Sequence, residues 1–328
     1  MIPLSILDLC PIAEGETAAD ALRKSRELAQ AAERLGFHRY WVSEHHNMGG
    51  TASAATAVII SHVAASTQSM RIGSGGVMLP NHAPLVVAEQ FGTLEALYPG
   101  RIDLGLGRSP GTDELTVRAL RRDPRGSERF AADLQELQFF LGKASPSQPV
   151  RAIPGEGTEL PIWILGSSPS SARLAAEKGL PFAFASHVTP DGLFEAIEVY
   201  RSSFIAANGQ STPYFMPCIN IFAADTDAEA RRHFSSAQMG LVNFFRGKRG
   251  PTHPPVDDIE AAWTPQEKAT IEHMHQLTIV GSAQTVRDRI GAFATATGAD
   301  EIMIAGNFFD SAARIRSLEL ISAMDFDR

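Results

Sequence analysis

Tyr40-Trp41-Val42-Ser43-Glu44-His45-His46-Asn47 decides how the rest of the chain is read. Residues 39–43 form a β-type run that stops abruptly in one acid and two adjacent histidines. Histidine is the side chain best suited to move protons near neutral pH. The point just past a strand's C-terminal end is where parallel α/β folds keep their active sites. What matters next is which sheet this strand belongs to and what the histidines face.

Outward from that stretch, short apolar runs alternate with longer amphipathic ones. A strand over 4–9 leads into a helix over 17–35, where Thr17 and Asp20 are spaced as a capping box and Gly36 stands where a C′ glycine belongs. Strand 38–43 is followed by helix 56–66. Strand 71–77 is followed by helix 84–98, stopped by Pro99-Gly100, and strand 101–106 by helix 127–141. Strand 161–165 precedes a helix opening at Ser168-Pro169, a hydroxyl cap with proline at the first helical position. Strands 181–185 and 214–223 carry helices 191–206 and 226–245, and strand 301–305 carries a last helix from 311 to about 324. Strands separated by helices run parallel, and eight such units close into a (β/α)8 TIM barrel. No linker divides the chain, so residues 1–328 read as a single barrel domain with inserted loops at 108–125, 142–160 and 247–277. The last insertion, rich in proline and charge, reads either as a lid or as a disordered excursion.

Composition narrows the classes. The 328 residues are 44% hydrophobic and 20% charged, an ordinary globular balance. A net charge of −8 gives no electrostatic reason to bind nucleic acid or anionic membranes. Only Cys10 and Cys218 occur, which excludes a disulfide framework and makes reduced thiols in a cytoplasm the expectation. The first residues lack the pattern of a signal peptide, and no run is apolar enough to span a bilayer.

In a barrel the residues just past each strand share one rim. Here these are Cys10-Pro11, Glu44-His45-His46, Gly75-Gly76, Asn81-His82, Arg108-Ser109, the serines of Gly166-Ser167-Ser168-Pro169-Ser170-Ser171, Ser186-His187, Asp225 and Asn307. The serine cluster opens a helix, whose free N–H groups attract anions, and Arg108 adds a fork of charged donors. It reads as a phosphate site for a cofactor or as an ordinary serine cap. Gly73-Ser74-Gly75-Gly76 interrupts an apolar strand, which marks a bulge or a close approach of ligand to backbone, and lacks the dinucleotide fingerprint. A metal site at Glu44-His45-His46 is disfavoured, because adjacent histidines on an extended chain point opposite ways and no other rim acid completes a set. One catalytic and one structural histidine is the expectation. His62, His233, His273 and His275 have no special placement.

Together Trp41-Val42-Ser43-Glu44-His45-His46, Gly73-Ser74-Gly75-Gly76-Val77-Met78-Leu79-Pro80, Pro99-Gly100-Arg101-Ile102-Asp103-Leu104-Gly105-Leu106-Gly107-Arg108 and Pro161-Ile162-Trp163-Ile164-Leu165-Gly166-Ser167-Ser168 resemble the bacterial luciferase-like flavin monooxygenase superfamily over nearly the whole chain. The resemblance implies a luciferase-like barrel that uses reduced FMN, supplied by a separate flavin reductase, and O2 to form a peroxyflavin and oxygenate a small, largely apolar organic substrate. It implies His45 as the catalytic histidine. It places Gly75 and Gly76 where the family has a cis peptide against the flavin ring, and puts Arg108, Ser168 and Ser171 at the flavin phosphate. It also implies a homodimer and a mobile segment over the site at 247–277. Two departures set the chain apart from luciferase itself: Gly107 stands where luciferase has a reactive cysteine, and Ser167 where it carries an acid at the phosphate site. They bear on light emission from aldehydes and leave flavin binding untouched. Three other functions remain in view: a deazaflavin-dependent hydride transfer, a non-catalytic flavin-binding protein, and a metal-dependent hydrolase.

Overall fold

The computed structural model describes residues 2–207 and 209–324. Its strands are β1 (Leu4–Asp8), β2 (Arg39–Val42), β3 (Arg71–Ser74), β4 (Val77–Met78), β5 (Ile102–Gly107), β6 (Ile162–Gly166), β7 (Phe182–Phe184), β8 (Phe215–Ala224), β9 (Ile279–Ser282) and β10 (Ile302–Ala305). Hydrogen-bonded neighbours follow the order β10-β1-β2-β3-β5-β6-β7-β8, every pair parallel, and β8 pairs back onto β10. The sheet is a closed eight-strand TIM barrel, with β4 continuing the third strand and pairing with β5. Parallel strands are covered on both faces, which is why β2 and β5 are buried at every residue.

The helices are α1 (Ala18–Arg34), α2 (Thr56–Ala64), α3 (Pro84–Leu97), α4 (Glu114–Ala119), α5 (Phe130–Leu141), α6 (Pro169–Glu177), α7 (Leu193–Ser202), α8 (Asp227–Phe245), α9 (Pro265–Met274), α10 (Ala283–Thr297) and α11 (Ser311–Ser322). The expected signals operate where the sequence puts them. Thr17 and Asp20 close a capping box on α1, Gly36 follows it with φ +81°, and Pro169 opens α6 after Ser168.

The barrel interior is packed. Leu7, Trp41, Trp163, Met216, Cys218 and Met303 form one apolar cluster, with Trp41 and Trp163 edge to face at 5.2 Å. At the N-terminal ends of the strands this cluster meets a buried charge network. Arg39 donates to Asp103 at 2.8 Å and to Glu301 at 3.1 Å, and Arg71 donates to Asp103 at 2.7 Å. Ser5 also bonds Glu301. Burial works against the Arg39 charge, but Asp103 and Glu301 outweigh it and raise the guanidinium pKa. The polar plug closes this end and leaves the opposite rim to form a site.

Two expectations for the later part of the chain are corrected. The strand expected to end at 223 overruns the barrel: β8 pairs with β7 and β10 through Asn220, then with β9 from Ile221 to Ala224. Asp225 therefore lies beyond an overhang, 2.7 Å from Arg316, rather than at the rim. The pair β9–α10 went unread, because β9 is four residues long and stands just after the proline-rich insertion. That insertion is not structureless. It carries α9, whose cap is the Thr264–Glu267 box, and Thr252 makes two backbone hydrogen bonds with the chain at Ile12 and Glu14. Among the described residues no helix is long and apolar enough to cross a membrane.

Candidate functional site

At the C-terminal rim, a cavity of about 440 Å³ is lined by His45, Gly75, Gly76, Arg108, Ser167, Ser168 and Ser171 together. Each residue reaches it from the end of a strand or the start of a helix. Ser186 and Asp225 do not line it, and Asn307 lines a neighbouring chamber instead.

The Gly75–Gly76 peptide is cis, as the resemblance implied. The two glycines form a tight wall. A Cβ on Gly75 would stand 2.6 Å from Leu7 Cδ1, and one on Gly76 would stand 2.8 Å from the Gly105 carbonyl oxygen. Only glycine lets this backbone lie between the interior core and whatever occupies the cavity.

The serines cap α6. Ser168 Oγ accepts from the Ser171 N–H at 3.4 Å and lies 2.9 Å from Ser170 Oγ and 3.3 Å from Ser171 Oγ. Arg108 is exposed on the cavity wall, and among the described residues its guanidinium has no protein partner. A cation on the same cavity wall as a hydroxyl-lined helix N-terminus presents the kinds of donor an anion takes. Among the described residues no aspartate or glutamate lines this cavity.

His45 is fixed by a chain of hydroxyls that the sequence did not show. Ser53 Oγ lies 3.3 Å from the Leu9 carbonyl, which can only accept. With the Ser53 proton on that carbonyl, Ser43 Oγ, 2.9 Å away, can donate to Ser53. With that proton committed, Ser43 accepts from His45 Nδ1 at 3.2 Å. All three hydrogen bonds are made together only in the Nδ1–H tautomer of His45, which leaves Nε2 with a lone pair. Burial lowers the His45 pKa, outweighing the opposing pull of Glu44, so the ring is neutral at pH 7. A neutral imidazole with one nitrogen anchored and the other unprotonated is a base.

Glu44 and His46 turn the other way, as alternation along an extended chain dictates. Glu44 accepts from His46 Nε2 at 2.8 Å, from His82 Nε2 at 2.9 Å, from the Met78 N–H at 3.0 Å and from Asn81 Nδ2 at 3.3 Å. Burial alone would raise its pKa; the His46 and His82 hydrogen bonds prevail and hold it at about 2. Among the described residues no further acid joins the histidines, but a third ligand-type side chain that the sequence did not connect to them, His82, does. Glu44, His46 and His82 place ligand-type atoms within 4.8 Å of one another, because the loop after β4 folds back onto the loop after β2. Both imidazoles nonetheless direct a nitrogen at the carboxylate, and the cluster ties those two loops together.

A second chamber of about 260 Å³ adjoins the first, sharing Leu9, His187 and Val188 as walls. Residues 248–252 of the long insertion form part of it. Sequence reasoning named His187 as a rim residue, read Lys248 only as part of a basic loop, and passed over His275 and Ser236, which stand at the end of α9 and on α8 with no pattern to join them.

The chain matches the family model described as luciferase-like monooxygenase over residues 3–301. It is 50% identical over 325 residues to a luciferase-like monooxygenase of Escherichia coli (strain K12), covering 99% of this chain and 96% of that one. It is 41% identical over 257 residues to the N-acetyl-S-alkylcysteine monooxygenase of Bacillus subtilis (strain 168), covering 76% of each. The structure of apo-MsnO8 superposes with a TM-score of 0.90 at 34% identity, covering 98% of both chains. More distant structures share the fold: the FMN complex of the oxygenating constituent of 3,6-diketocamphane monooxygenase (TM-score 0.75, 21% identity, 98% and 97% covered) and an F420-dependent secondary alcohol dehydrogenase (TM-score 0.72, 15% identity, 99% of both).

Proposed function

The chain belongs to the luciferase-like monooxygenases, which are oxidoreductases, and on that premise we propose that it is an FMN-dependent oxygenase of a small organic substrate. The observation that carries this reading is one cavity that, among the described residues, has no acid in its lining and no partner for Arg108, and that joins to these a serine-capped helix start and a neutral, anchored histidine base. Arg108, Ser168, Ser171 and the α6 N–H groups would hold the phosphate of FMN. The Gly75–Gly76 wall would lie against its ring, since no side chain stands out from it. When bound and reduced by a separate flavin reductase, FMN supplies the electrons that activate O2 for transfer of one oxygen atom.

The protein's own contributions follow from the geometry. Arg108 and the α6 start bind the dianion. The apolar walls from Leu7, Trp41 and Leu165 exclude water. His45 Nε2 takes a proton from the reacting group while Nδ1–H stays on Ser43, so the imidazolium that forms remains anchored. The reading includes a homodimer and a closing movement of residues 247–277 over the site, both testable in solution. The relative named for N-acetyl-S-alkylcysteines makes an organic thioether one substrate class to try.

Anaerobic titration with reduced FMN and, separately, with reduced F420 tests the assignment. Saturable FMN binding is expected, followed on mixing with O2 by reoxidation that is slower than free flavin's and altered in His45→Ala. Binding of F420 in preference to FMN would replace oxygenation with hydride transfer. Binding of neither would sink both.

A further inference from the structure

Among the described residues the first cavity has two histidines in its lining, His45 and His187, and only His45 has been given work. The turn after β7 carries His187 to the rim. The Val188 and Thr189 N–H groups donate to the Ala185 carbonyl at 3.2 and 3.1 Å. Ser186 Oγ donates to the Cys218 carbonyl at 2.7 Å, and Asn220 Nδ2 donates to the His187 carbonyl at 2.9 Å. Cys218 and Asn220 belong to β8, so the backbone beneath the imidazole is tied to the neighbouring strand.

The two ring nitrogens of His187 differ in their surroundings. Nδ1 is sealed from solvent and has no hydrogen-bond partner. Nε2 has no protein partner among the described residues either, but it is not sealed, so it is the nitrogen that water or a bound molecule can reach. Burial holds the ring down at about 4 and the nearby His45 lowers it further, so at pH 7 the ring is neutral and carries one N–H. On Nδ1 that proton would be a buried donor with no acceptor, the rarer kind of orphan. On Nε2 it finds an acceptor in solvent or in a ligand, and Nδ1 keeps only an unfilled lone pair. The balance favours Nε2–H.

The two histidines of the cavity are therefore complementary. His45 holds its Nδ1–H on Ser43 and offers a lone pair at Nε2. His187 buries an empty Nδ1 and offers an N–H at Nε2. They lie close enough for charge on one ring to act on the other. Leu9, Val188, Cys218 and Met303 also line the cavity, and among the described residues no carboxylate there competes for the N–H.

We propose that His187 is a second substrate-contacting residue of the first cavity: its Nε2–H donates to an acceptor oxygen of the substrate, a ketone, ester or amide carbonyl, and selects molecules that carry such an oxygen near the group that His45 deprotonates. The inference rests on the oxygenase reading for the chemistry at His45, while the donor depends on the surroundings of His187 alone. A neutral imidazole N–H is a donor that does not itself ionise, so His187 fixes the carbonyl and leaves the proton transfer to His45.

The probes that test this are acetophenone and α-methylstyrene, alike in shape, of which only acetophenone has an acceptor oxygen. Each is titrated into protein saturated with oxidised FMN and followed by nuclear magnetic resonance. Acetophenone is expected to bind about three- to tenfold tighter, the worth of one neutral hydrogen bond, and to shift the His187 Nε2–H signal. His187→Phe keeps ring volume without the donor and should abolish the preference by weakening acetophenone alone; a residue that merely filled space would change both probes alike. His187→Gln returns an N–H and should restore part of the preference. Nitrogen-15 spectra of the free protein should show His187 protonated at Nε2, and that tautomer and the wild-type preference decide the matter even where a variant fails to fold. An Nδ1–H majority, equal affinity for the two probes, binding of neither, or a preference that survives His187→Phe overturns the proposal. If FMN itself fails to bind, the probes are run on the flavin-free protein; a carbonyl preference that still depends on His187 then sinks the flavin reading while leaving this one standing.

Discussion

The hydroxyl chain behind His45 makes a prediction that needs no substrate. In the Nδ1–H form three hydrogen bonds are made in series: His45 to Ser43, Ser43 to Ser53, and Ser53 to the Leu9 carbonyl. In the Nε2–H form Nδ1 must accept from Ser43, and Ser53 can then donate to Ser43 or to Leu9 but not to both. One hydrogen bond is lost, worth about 1 kcal/mol net, or about a fivefold bias toward the Nδ1–H tautomer. Ser53→Ala removes the bias, because Ser43 can then serve either tautomer with a single bond. Nitrogen-15 histidine spectra at pH 7 read the two ring nitrogens directly, and the His45 signals are those lost in His45→Asn. The wild type should show Nδ1 protonated and Nε2 bare, and Ser53→Ala should shift the population toward Nε2–H by about fivefold. An Nε2–H majority in the wild type, or no movement on Ser53→Ala, would refute the relay and with it the argument that His45 offers a base to the cavity.

Three further outcomes are expected. Arg108→Met should weaken FMN binding by about ten- to a hundredfold while changing riboflavin affinity little, since the lost contact is a charge-assisted one to phosphate; equal losses for both flavins would place Arg108 elsewhere. Arg39→Met should cost about 3 kcal/mol by leaving Glu301 without its arginine while Asp103 keeps Arg71, which for a chain of this length lowers the melting temperature by about 4 °C, and a loss below 1 °C would show the network to be dispensable. Stability should also fall with pH. His187 and His275 have folded pKa values near 4 against 6.5 unfolded, so the unfolded state binds more protons between those limits, and stability that is full above pH 6.5 declines as pH drops toward 4. Urea midpoints at pH 7 and 4.5 check this, and the decline should shrink in His275→Phe.

The barrel was legible because its signals are local. Alternation of strand and helix, the Thr17–Asp20 box, Pro169 after Ser168 and the glycine stops each act within a few residues, and each works in the structure as read. Where the reading failed, distance was the cause. The overhang of β8 depends on β9, 55 residues later at Ile279 if counted from Ala224, and nothing in either strand announces the other. Ser53 is an ordinary loop serine until the loop after β2 brings it to Ser43. His82 joins Glu44 across 38 positions, and His275 and Ser236 meet His187 only where α8 and the end of α9 cover the rim.

The opening stretch explains how one short segment serves two ends. Successive side chains of an extended chain face opposite ways, so Ser43 and His45 share one side while Glu44 and His46 share the other. On the first side, Ser43 orients His45 toward the cavity. On the second, Glu44 collects His46, His82, Asn81 and the Met78 N–H, and fastens this loop to the one that carries Gly75 and Gly76 into β4. A base is useful only at a fixed distance from the wall it works against, and the glycine wall belongs to that second loop. Glu44→Gln should therefore leave the His45 tautomer intact while loosening the cavity. The expected signature is weaker FMN binding with an unmoved nitrogen-15 pattern. A tautomer change in that variant would mean that the two faces are coupled, and that the division of labour between the adjacent histidines is not the one the geometry assigns.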